Sequence, residues 1–299
     1  MDDFRGRNPE VAGLRRQEQY SRTTLATGYV GLSIWHCGII RCRDKIASIM
    51  KHQWVIEEDD ISRIRQFVMK QSDNPFVRER IRHNLADVKP PVSRAEFWSA
   101  TVACLLTTQQ RSGPTSQVTK FLLLKPAPLQ LDICEQHQDL ADFVRQTLTD
   151  FGGLRRAKTI GKELKENLPS LQGDRWLEVQ KHLEAVRLGQ SAEAERKAAN
   201  FIDKQLRGFG PKQSRNLLQT LGLSRYEIPL DSRLTKWFRQ FGFPIGLSAN
   251  LLADVEYYEF VLDAIQELCQ RAQVFPCVLD AMIFVSFDAD AWTEENVVW

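Results

Sequence analysis

Two side chains that could act together in covalent chemistry, Lys212 and Asp231, stand nineteen residues apart. An unprotonated lysine amine is a nucleophile that forms a Schiff base with an electrophilic carbon. Burial, a helix N-terminus or a neighbouring cation favours that unprotonated form, and Arg215 follows three residues later. A carboxylate beside the reacting carbon stabilises the positive charge that develops there. If the fold brings the two side chains together, nucleophilic catalysis is one chemistry open to them, although their spacing alone does not establish the contact.

A short glycine-rich segment precedes the lysine and reads L-R-G-F-G-P at positions 206–211. Two glycines separated by one residue permit a tight turn, because glycine adopts backbone angles that a side chain forbids. Pro211 suits the first position of the helix that follows. Backbone N–H groups at that helix start, with Arg207 and Arg215 nearby, would hold a phosphate without reading a base. The segment predicts a helix, a hairpin and a second helix, although as a bare pattern an ordinary turn is more common.

Asp231 follows the apolar run at 228–230 and stands immediately before a segment with helical spacing. Such a position suits an N-cap, where the carboxylate accepts hydrogen bonds from the first backbone N–H groups of the helix. The chain returns through Gly222 from the helix that begins near Lys212, so the same carboxylate can also come close to the amine. The sequence leaves both the capping role and the catalytic role open.

Most of the chain has the periodicity of helices, broken by Gly, Pro, Asn or Asp. Asp59 and Asp60 are placed to cap one helix, and Ser93 with Glu96 matches a capping box for another. Further helices are predicted at 140–148, 156–167, 192–206, 212–221, 232–241 and 247–271. The fold class is therefore all-α. The segment at 23–40 is rich in Thr, Gly and β-branched residues and could hold a short β hairpin.

The charge of the chain is unevenly distributed, although the net charge is only +2. Basic residues concentrate in the first half and at 204–215, whereas 241–270 contains five acidic residues and no basic one. One positive face would suit a polyanion, and two solvated helix faces of opposite sign explain the pattern equally well. There is no apolar stretch of about twenty residues and no secretory signal pattern, so we expect a cytoplasmic, nucleoid-associated protein.

Three segments together resemble the helix-hairpin-helix DNA glycosylase superfamily. The first is L-x-G-F-G-x-K at 206–212 with Asp231 in an I-P-L-D setting. The second, 97–110, is similar to the family's second-helix region, in which a polar residue follows an L-L-S/T run. The third, 153–160, resembles the family element G-L-x-x-x-K-A-x-x-I with Lys and Ala interchanged. The matches extend over about residues 95–240 and are closest to the cluster-free 8-oxoguanine DNA glycosylase/AP lyases.

This resemblance implies a role for each matching residue. Lys212 takes the place of the nucleophile, and Asp231 that of the essential aspartate. Gly208 and Gly210 take the hairpin positions that bind backbone phosphate, in the family often with a monovalent cation at the hairpin carbonyls. The side chain that enters the space left by the extruded base is Gln109 or Gln110.

The sequence also departs from the family pattern. Only Cys269 and Cys277 follow Asp231, so the four-cysteine iron–sulfur cluster of endonuclease III-like members cannot be built. Arg233 stands where relatives often have His, and the first fifty residues match nothing in the family. We expect no required cofactor, and a monovalent cation at the hairpin at most.

The resemblance implies a division into domains. Residues 1–50 are an extension of unknown role, 51–95 with 231–299 form a discontinuous helical domain, and 96–230 form a helical bundle that ends in the hairpin. A DNA-binding cleft is expected between the two helical domains. Asp280, in the apolar run 278–285, fits either a helix cap or a pocket carboxylate. Four aromatic residues could stack on a base or belong to the core, namely Phe97, Trp98, Trp237 and Phe284.

The expected function is excision of a damaged base, with 8-oxoguanine favoured, and strand cleavage through a lysine Schiff base. The expected partner is double-stranded DNA with an altered base, bound by a monomer. If Lys212 stays charged and only grips phosphate, the enzyme would be a monofunctional glycosylase that uses water. Other open alternatives are excision of a naturally modified base from phage or other foreign DNA, and a non-catalytic DNA-binding module. A metal-dependent nuclease would need clustered carboxylates, which occur only in the acidic C-terminal stretch.

Overall fold

The computed structural model describes residues 54–297, which form thirteen α-helices and two short 3₁₀ helices and contain no strand. The α-helices are α1 (Glu58–Gln71), α2 (Pro75–Asn84), α3 (Arg94–Leu106), α4 (Gln117–Leu122), α5 (Leu131–Gln136), α6 (Leu140–Phe151), α7 (Ala157–Asn167), α8 (Gly173–Gly189), α9 (Ala192–Gln205), α10 (Pro211–Thr220), α11 (Ser232–Phe241), α12 (Val255–Ala272) and α13 (Pro276–Ser286). The 3₁₀ helices are Leu168–Leu171 and Leu251–Ala253. The prediction of an all-α fold is confirmed. The predicted β hairpin at 23–40 lies outside the described residues.

Local sequence chemistry sets several helix starts. The capping box of α3 is present, since Ser93 Oγ accepts from the N–H of Glu96 at 3.2 Å and Glu96 Oε2 accepts from the N–H of Ser93 at 2.8 Å. At α1 the cap lies earlier than predicted. Glu57 is the N-cap, and Asp60 accepts from its backbone N–H at 3.1 Å. Asp59 therefore lies inside the first turn.

The helix predicted at 247–271 begins later, at Val255, because Asp254 caps it and accepts from the N–H of Tyr257 at 2.9 Å. Helices α2, α5, α8 and α13 were not predicted. The buried face of α2 contains Arg80 and Asn84 besides apolar residues, so its sequence lacks an apolar period. Helix α13 is apolar on nearly all sides, which hides its period in the same way.

Two clusters of buried apolar side chains stabilise the described residues. The first draws its members from 97–223, and the second from 56–77 and 228–292. Helix α10 contributes Leu217 and Leu218 to the first cluster, whereas α11 contributes Leu234 and Phe238 to the second. The segment between these helices therefore crosses from one cluster to the other. The proposed division into domains remains a prediction.

No single helix in the described part of the chain is long and apolar enough to cross a bilayer. Helices α12 and α13 satisfy the length and composition criteria only as a pair, with a bend of 97° between them.

Candidate active site

A cleft of about 1830 Å³ contains the candidate catalytic residues. Its wall includes the segment after α3, the N-terminal end of α10, the N-terminal end of α11 and part of α13. Lys212 and Asp231 both line this cleft. The fold therefore places in one cavity the two side chains that the sequence pairs.

Lys212 is the second residue of α10, directly after Pro211 and the N-cap Gly210. Its side chain is partly buried. Among the described residues, its ammonium group has no hydrogen bond and no ion pair within 4 Å. The amine is thus held at the cleft wall without a protein partner that would compete with a ligand.

Asp231 is the N-cap of α11, as one of the two predicted roles required. Its Oδ1 atom accepts hydrogen bonds from the backbone N–H groups of Arg233 at 2.9 Å and Leu234 at 2.8 Å. These bonds orient the carboxylate, and both use the same oxygen. The cap therefore leaves Oδ2 for a ligand in the cleft, so the capping and catalytic roles are compatible.

Asp280 is a third charged member of the cleft. It lies inside α13 and not at its end, so the interpretation as a helix cap is wrong. Burial raises the pKa of Asp280 to about 7, against the attraction of Arg80, and the carboxylate of Asp231 raises it further. Lys212 acts in the opposite direction. The carboxyl group thus lies within electrostatic reach of both candidate catalytic residues.

The hairpin before α10 has two glycines with different constraints. Gly208 has φ +83°, and a Cβ added there would lie 2.6 Å from the carboxyl carbon of Glu163. Gly210 has the extended angles φ −141° and ψ −171°, and an added Cβ would meet no atom within 4 Å. The fold requires glycine at position 208, whereas position 210 presents open space to a ligand.

Asn167 fixes the entry to the hairpin. Its amide donates to the carbonyl of Arg207 at 3.0 Å, and its Oδ1 accepts from the N–H of Arg207 at 2.7 Å. The Arg207 side chain is 73% exposed and pairs with Glu166 at 3.3 Å. A guanidinium so exposed is accessible to a phosphate.

Arg215 was predicted to contact DNA, and the structure corrects this. Its side chain is fully buried, and its Nε lies 2.9 Å from Glu227 Oε2. The guanidinium also stacks on the ring of Tyr258, 4.9 Å from its centroid. Because this side chain has no exposed surface and its charge is paired with Glu227, a DNA phosphate cannot reach it.

The structure distinguishes the two glutamines. Gln110 is held internally, since it donates to the carbonyl of Leu106 and accepts from the N–H of Arg155 at 3.0 Å. Gln109 is exposed at the cleft and has φ +59°, which is uncommon for a residue other than glycine. Such local strain clusters at functional sites. Gln109 is therefore the better candidate for insertion into DNA.

Phe76 and Trp292 were not predicted as cleft residues, because they come from elements distant in the sequence. Phe76 of α2 stacks on Phe284 of α13 with centroids 5.1 Å apart. Arg233 lies over Phe284 at 4.0 Å and binds both carboxylate oxygens of Asp288, at 3.1 and 3.2 Å. Trp292 donates to the same carboxylate at 3.1 Å. These residues form an aromatic wall, which includes one of the four candidate stacking residues.

The other candidate stacking residues belong elsewhere. Phe97 and Trp98 are core residues, at 2% and 1% exposure. Trp237 packs at the edge of the second cluster. Exposed arginines at the cleft are Arg111, Arg155 and Arg239. They give its rim the positive charge that attracts a polyanion.

No protein-family model matches the sequence, and no curated protein is similar to it at a significant level. Solved structures do share the fold. The 8-oxoguanine DNA glycosylases of Thermotoga maritima and Methanocaldococcus jannaschii each align with a TM-score of 0.51 and 14% identity. Each alignment covers 78% of this chain, and 96% and 95% of the two enzymes, respectively. The chain therefore has the helical fold of these glycosylases.

Proposed function

We propose that the chain is a DNA glycosylase that extrudes an altered base from duplex DNA and breaks its N-glycosidic bond. The observation that carries this proposal is the placement of Lys212 and Asp231 in one cleft, directly after a glycine hairpin. The shared fold with 8-oxoguanine DNA glycosylases supports it. An oxidised purine of that kind is the favoured substrate.

Recognition begins with the DNA backbone. The hairpin at Gly208 and Gly210 and the exposed Arg207 hold phosphates, while the arginines at the rim attract the duplex. A stacked base shields its glycosidic bond, so the nucleotide must leave the helix at a cost of a few kcal/mol. Gln109 fills the space that the nucleotide leaves.

Bond cleavage uses the amine and the carboxylate. As the bond from C1′ to the base breaks, its electron pair leaves with the base, and positive charge develops on the sugar. Asp231 stabilises that charge, and the lone pair of Lys212 Nζ forms a bond to C1′. Opening of the sugar ring gives a Schiff base, and loss of a C2′ proton then expels the 3′ phosphate. This chemistry needs no cofactor.

Borohydride trapping tests the proposal, because it reduces a Schiff base to a stable covalent adduct. Duplexes would carry 8-oxoguanine, uracil, an abasic site or a hydroxymethylated or glucosylated cytosine. The wild type should form an adduct that Lys212→Gln does not form. The matched control is Lys197→Gln, an exposed lysine on α9 that pairs with Glu193 outside the cleft and should trap normally.

Each other outcome changes the proposal. Base release without an adduct would mean a monofunctional glycosylase that uses water. Neither release nor adduct on any duplex would leave a DNA-binding module. Activity restricted to the modified cytosines would indicate an enzyme directed at foreign DNA.

A further inference from the structure

We infer that Asp280 and Gln219 read the edge of the extruded base, and that the pair selects a purine edge with two adjacent N–H donors, as in guanine derivatives. This inference rests on the proposed glycosylase function. It assigns to α10 and α13 a role at the base, in contrast to the role of Lys212 and Asp231 at the sugar.

The first step of the argument is the geometry of the pair. Gln219 and Asp280 both line the cleft and are only 1% and 7% exposed. Gln219 Nε2 donates to Asp280 Oδ2 at 2.6 Å, and this hydrogen bond joins the two side chains. The pair is therefore a rigid polar group in a cleft that has an aromatic wall at Phe284.

The second step concerns the acceptors that remain. Gln219 Oε1 is buried and has no hydrogen-bond partner among the described residues. A buried acceptor without a donor is costly, and such atoms call for an explanation. The hydrogen bond from Gln219 uses Asp280 Oδ2 and leaves Oδ1. The pair thus has two acceptor oxygens without a protein donor among the described residues, and the one on Gln219 is buried.

The third step is the charge of the site. Burial disfavours the ionised form of Asp280 and raises its pKa to about 7, whereas Arg80 of α2 and Lys212 of α10 attract that form. Above pH 7 the group is therefore mainly a carboxylate, which accepts hydrogen bonds and donates none. Of the standard base edges, that of guanine offers a ring N–H beside an amino group. Cytosine and adenine present a ring nitrogen acceptor beside the amino group. The lone pair of this acceptor would repel a carboxylate oxygen.

Along α10, Gln219 lies apart from Lys212, the residue proposed to react with the sugar. Gln219 lies seven residues after Lys212 on the same helix, close to two turns further along. The lysine therefore lies at the mouth of the hairpin and the glutamine deeper in the fold. This arrangement matches a nucleotide whose sugar meets the amine while its base extends inward.

The experiment compares the wild-type protein with Asp280→Asn, each acting on two duplexes. One duplex carries 8-oxoguanine and the other an abasic site, which has no base to read. The variant keeps an oxygen for the bond from Gln219 but replaces an acceptor with an amino donor. We expect its excision of 8-oxoguanine to fall about 100-fold, and its borohydride trapping at the abasic site to fall at least about 10-fold less than that.

A second pair of duplexes tests the donor pattern directly. Removal of the 2-amino group of the base, as in 8-oxohypoxanthine, should slow wild-type excision at least about 10-fold. The same removal should change excision by Asp280→Asn much less. If Asp280→Asn fails to fold, Gln219→Met, which keeps the side-chain volume, takes its place with the same expectation.

Three results would overturn the inference. One is normal excision of 8-oxoguanine by the variants. A second is an equal loss at the abasic site, which would place Asp280 at the sugar or in the core. The third is a wild type indifferent to the 2-amino group. Failure of the proposed function would look different, because the wild type itself would then release no base and form no adduct with either duplex.

Discussion

Arg215 and Glu227 form a fully buried ion pair, with Nε and Oε2 2.9 Å apart, that joins the two ends of the candidate catalytic segment. Arg215 lies three residues after Lys212, and Glu227 lies four residues before Asp231. Glu227 also binds Arg196 of α9 at 2.8 Å. The pair therefore connects the helix that carries the amine to the segment that carries the carboxylate.

Loss of Arg215 should destabilise the fold and misalign the site. Arg215→Met leaves the Glu227 carboxylate in a buried position, which costs roughly 3–5 kcal/mol when one partner of a buried pair is removed. We expect a clear fall in melting temperature and in base excision. The salt dependence of DNA binding should not change, whereas Arg155→Ala should reduce its slope by about one. A reduced slope in Arg215→Met would indicate that Arg215 contacts DNA phosphates.

The two hairpin glycines should respond differently to alanine. Gly208→Ala forces a left-handed backbone on a residue with a Cβ and a contact with Glu163, so we expect a loss of roughly 2 kcal/mol in the free energy of unfolding. Gly210→Ala should melt like the wild type and bind duplex DNA about 10-fold more weakly, because its methyl group occupies space that the backbone phosphate needs. Equal affinity of Gly210→Ala and wild type would exclude a phosphate contact there.

Gln109 should matter for base extrusion and not for stability. In Gln109→Ala we expect slower excision from a fully paired duplex and a smaller effect when the altered base is already mismatched, since mismatches lower the cost of extrusion. Gln110→Ala should instead lower the free energy of unfolding by about 1 kcal/mol, because it loses hydrogen bonds to the backbone. Single-turnover excision and thermal melting measure the two effects. If Gln110→Ala slowed excision and Gln109→Ala lowered the free energy of unfolding, Gln110 would be the inserting residue.

The two roles of Asp231 can be separated by substitution. Asparagine is a good N-cap, so Asp231→Asn should keep the melting temperature of the wild type while base excision falls at least about 100-fold. Asp231→Ala should lose the same activity and also about 1 kcal/mol of stability. Normal excision by Asp231→Asn would show that Asp231 acts only as a helix cap.

The stability of the fold should depend on the ionisation of Asp280. Burial raises the pKa of Asp280 from 3.8 to about 7, so the unfolded chain ionises this group at lower pH than the folded chain does. Its contribution to the free energy of unfolding is fully present below pH 3.8 and is lost as the pH rises to about 7. We expect Asp280→Asn, which cannot ionise, to melt close to the wild type near pH 4 and several degrees above it at pH 8. A difference between their melting temperatures that is constant over this range would contradict the assignment.

Local chemistry explains what the sequence predicted. The hairpin, Pro211 at the start of α10 and the cap at Asp231 depend on a few neighbouring residues, and each agrees with the structure. Helix starts such as Ser93 depend on equally short patterns. The resemblance to the glycosylase superfamily rests on such segments, and the chain has the fold of two 8-oxoguanine DNA glycosylases.

Tertiary packing explains what the sequence missed. Arg215 looked accessible beside other basic residues, and only the structure shows that its side chain is buried against Tyr258 of α12. Phe76 and Trp292 enter the cleft from segments far apart in the chain. Asp280 did carry a signal, since it is a lone acid in an apolar run, but only its position inside α13 decides against a cap.

The enclosed position of the Arg215–Glu227 pair has a consequence for the behaviour of the protein in concentrated electrolyte. Mobile ions screen charges that are open to solvent, and they act much less on a pair with no exposed surface. Contacts with DNA phosphates weaken steeply as salt rises. Added salt should therefore lengthen the search for a target along the genome and leave the rate of catalysis on a captured nucleotide unchanged.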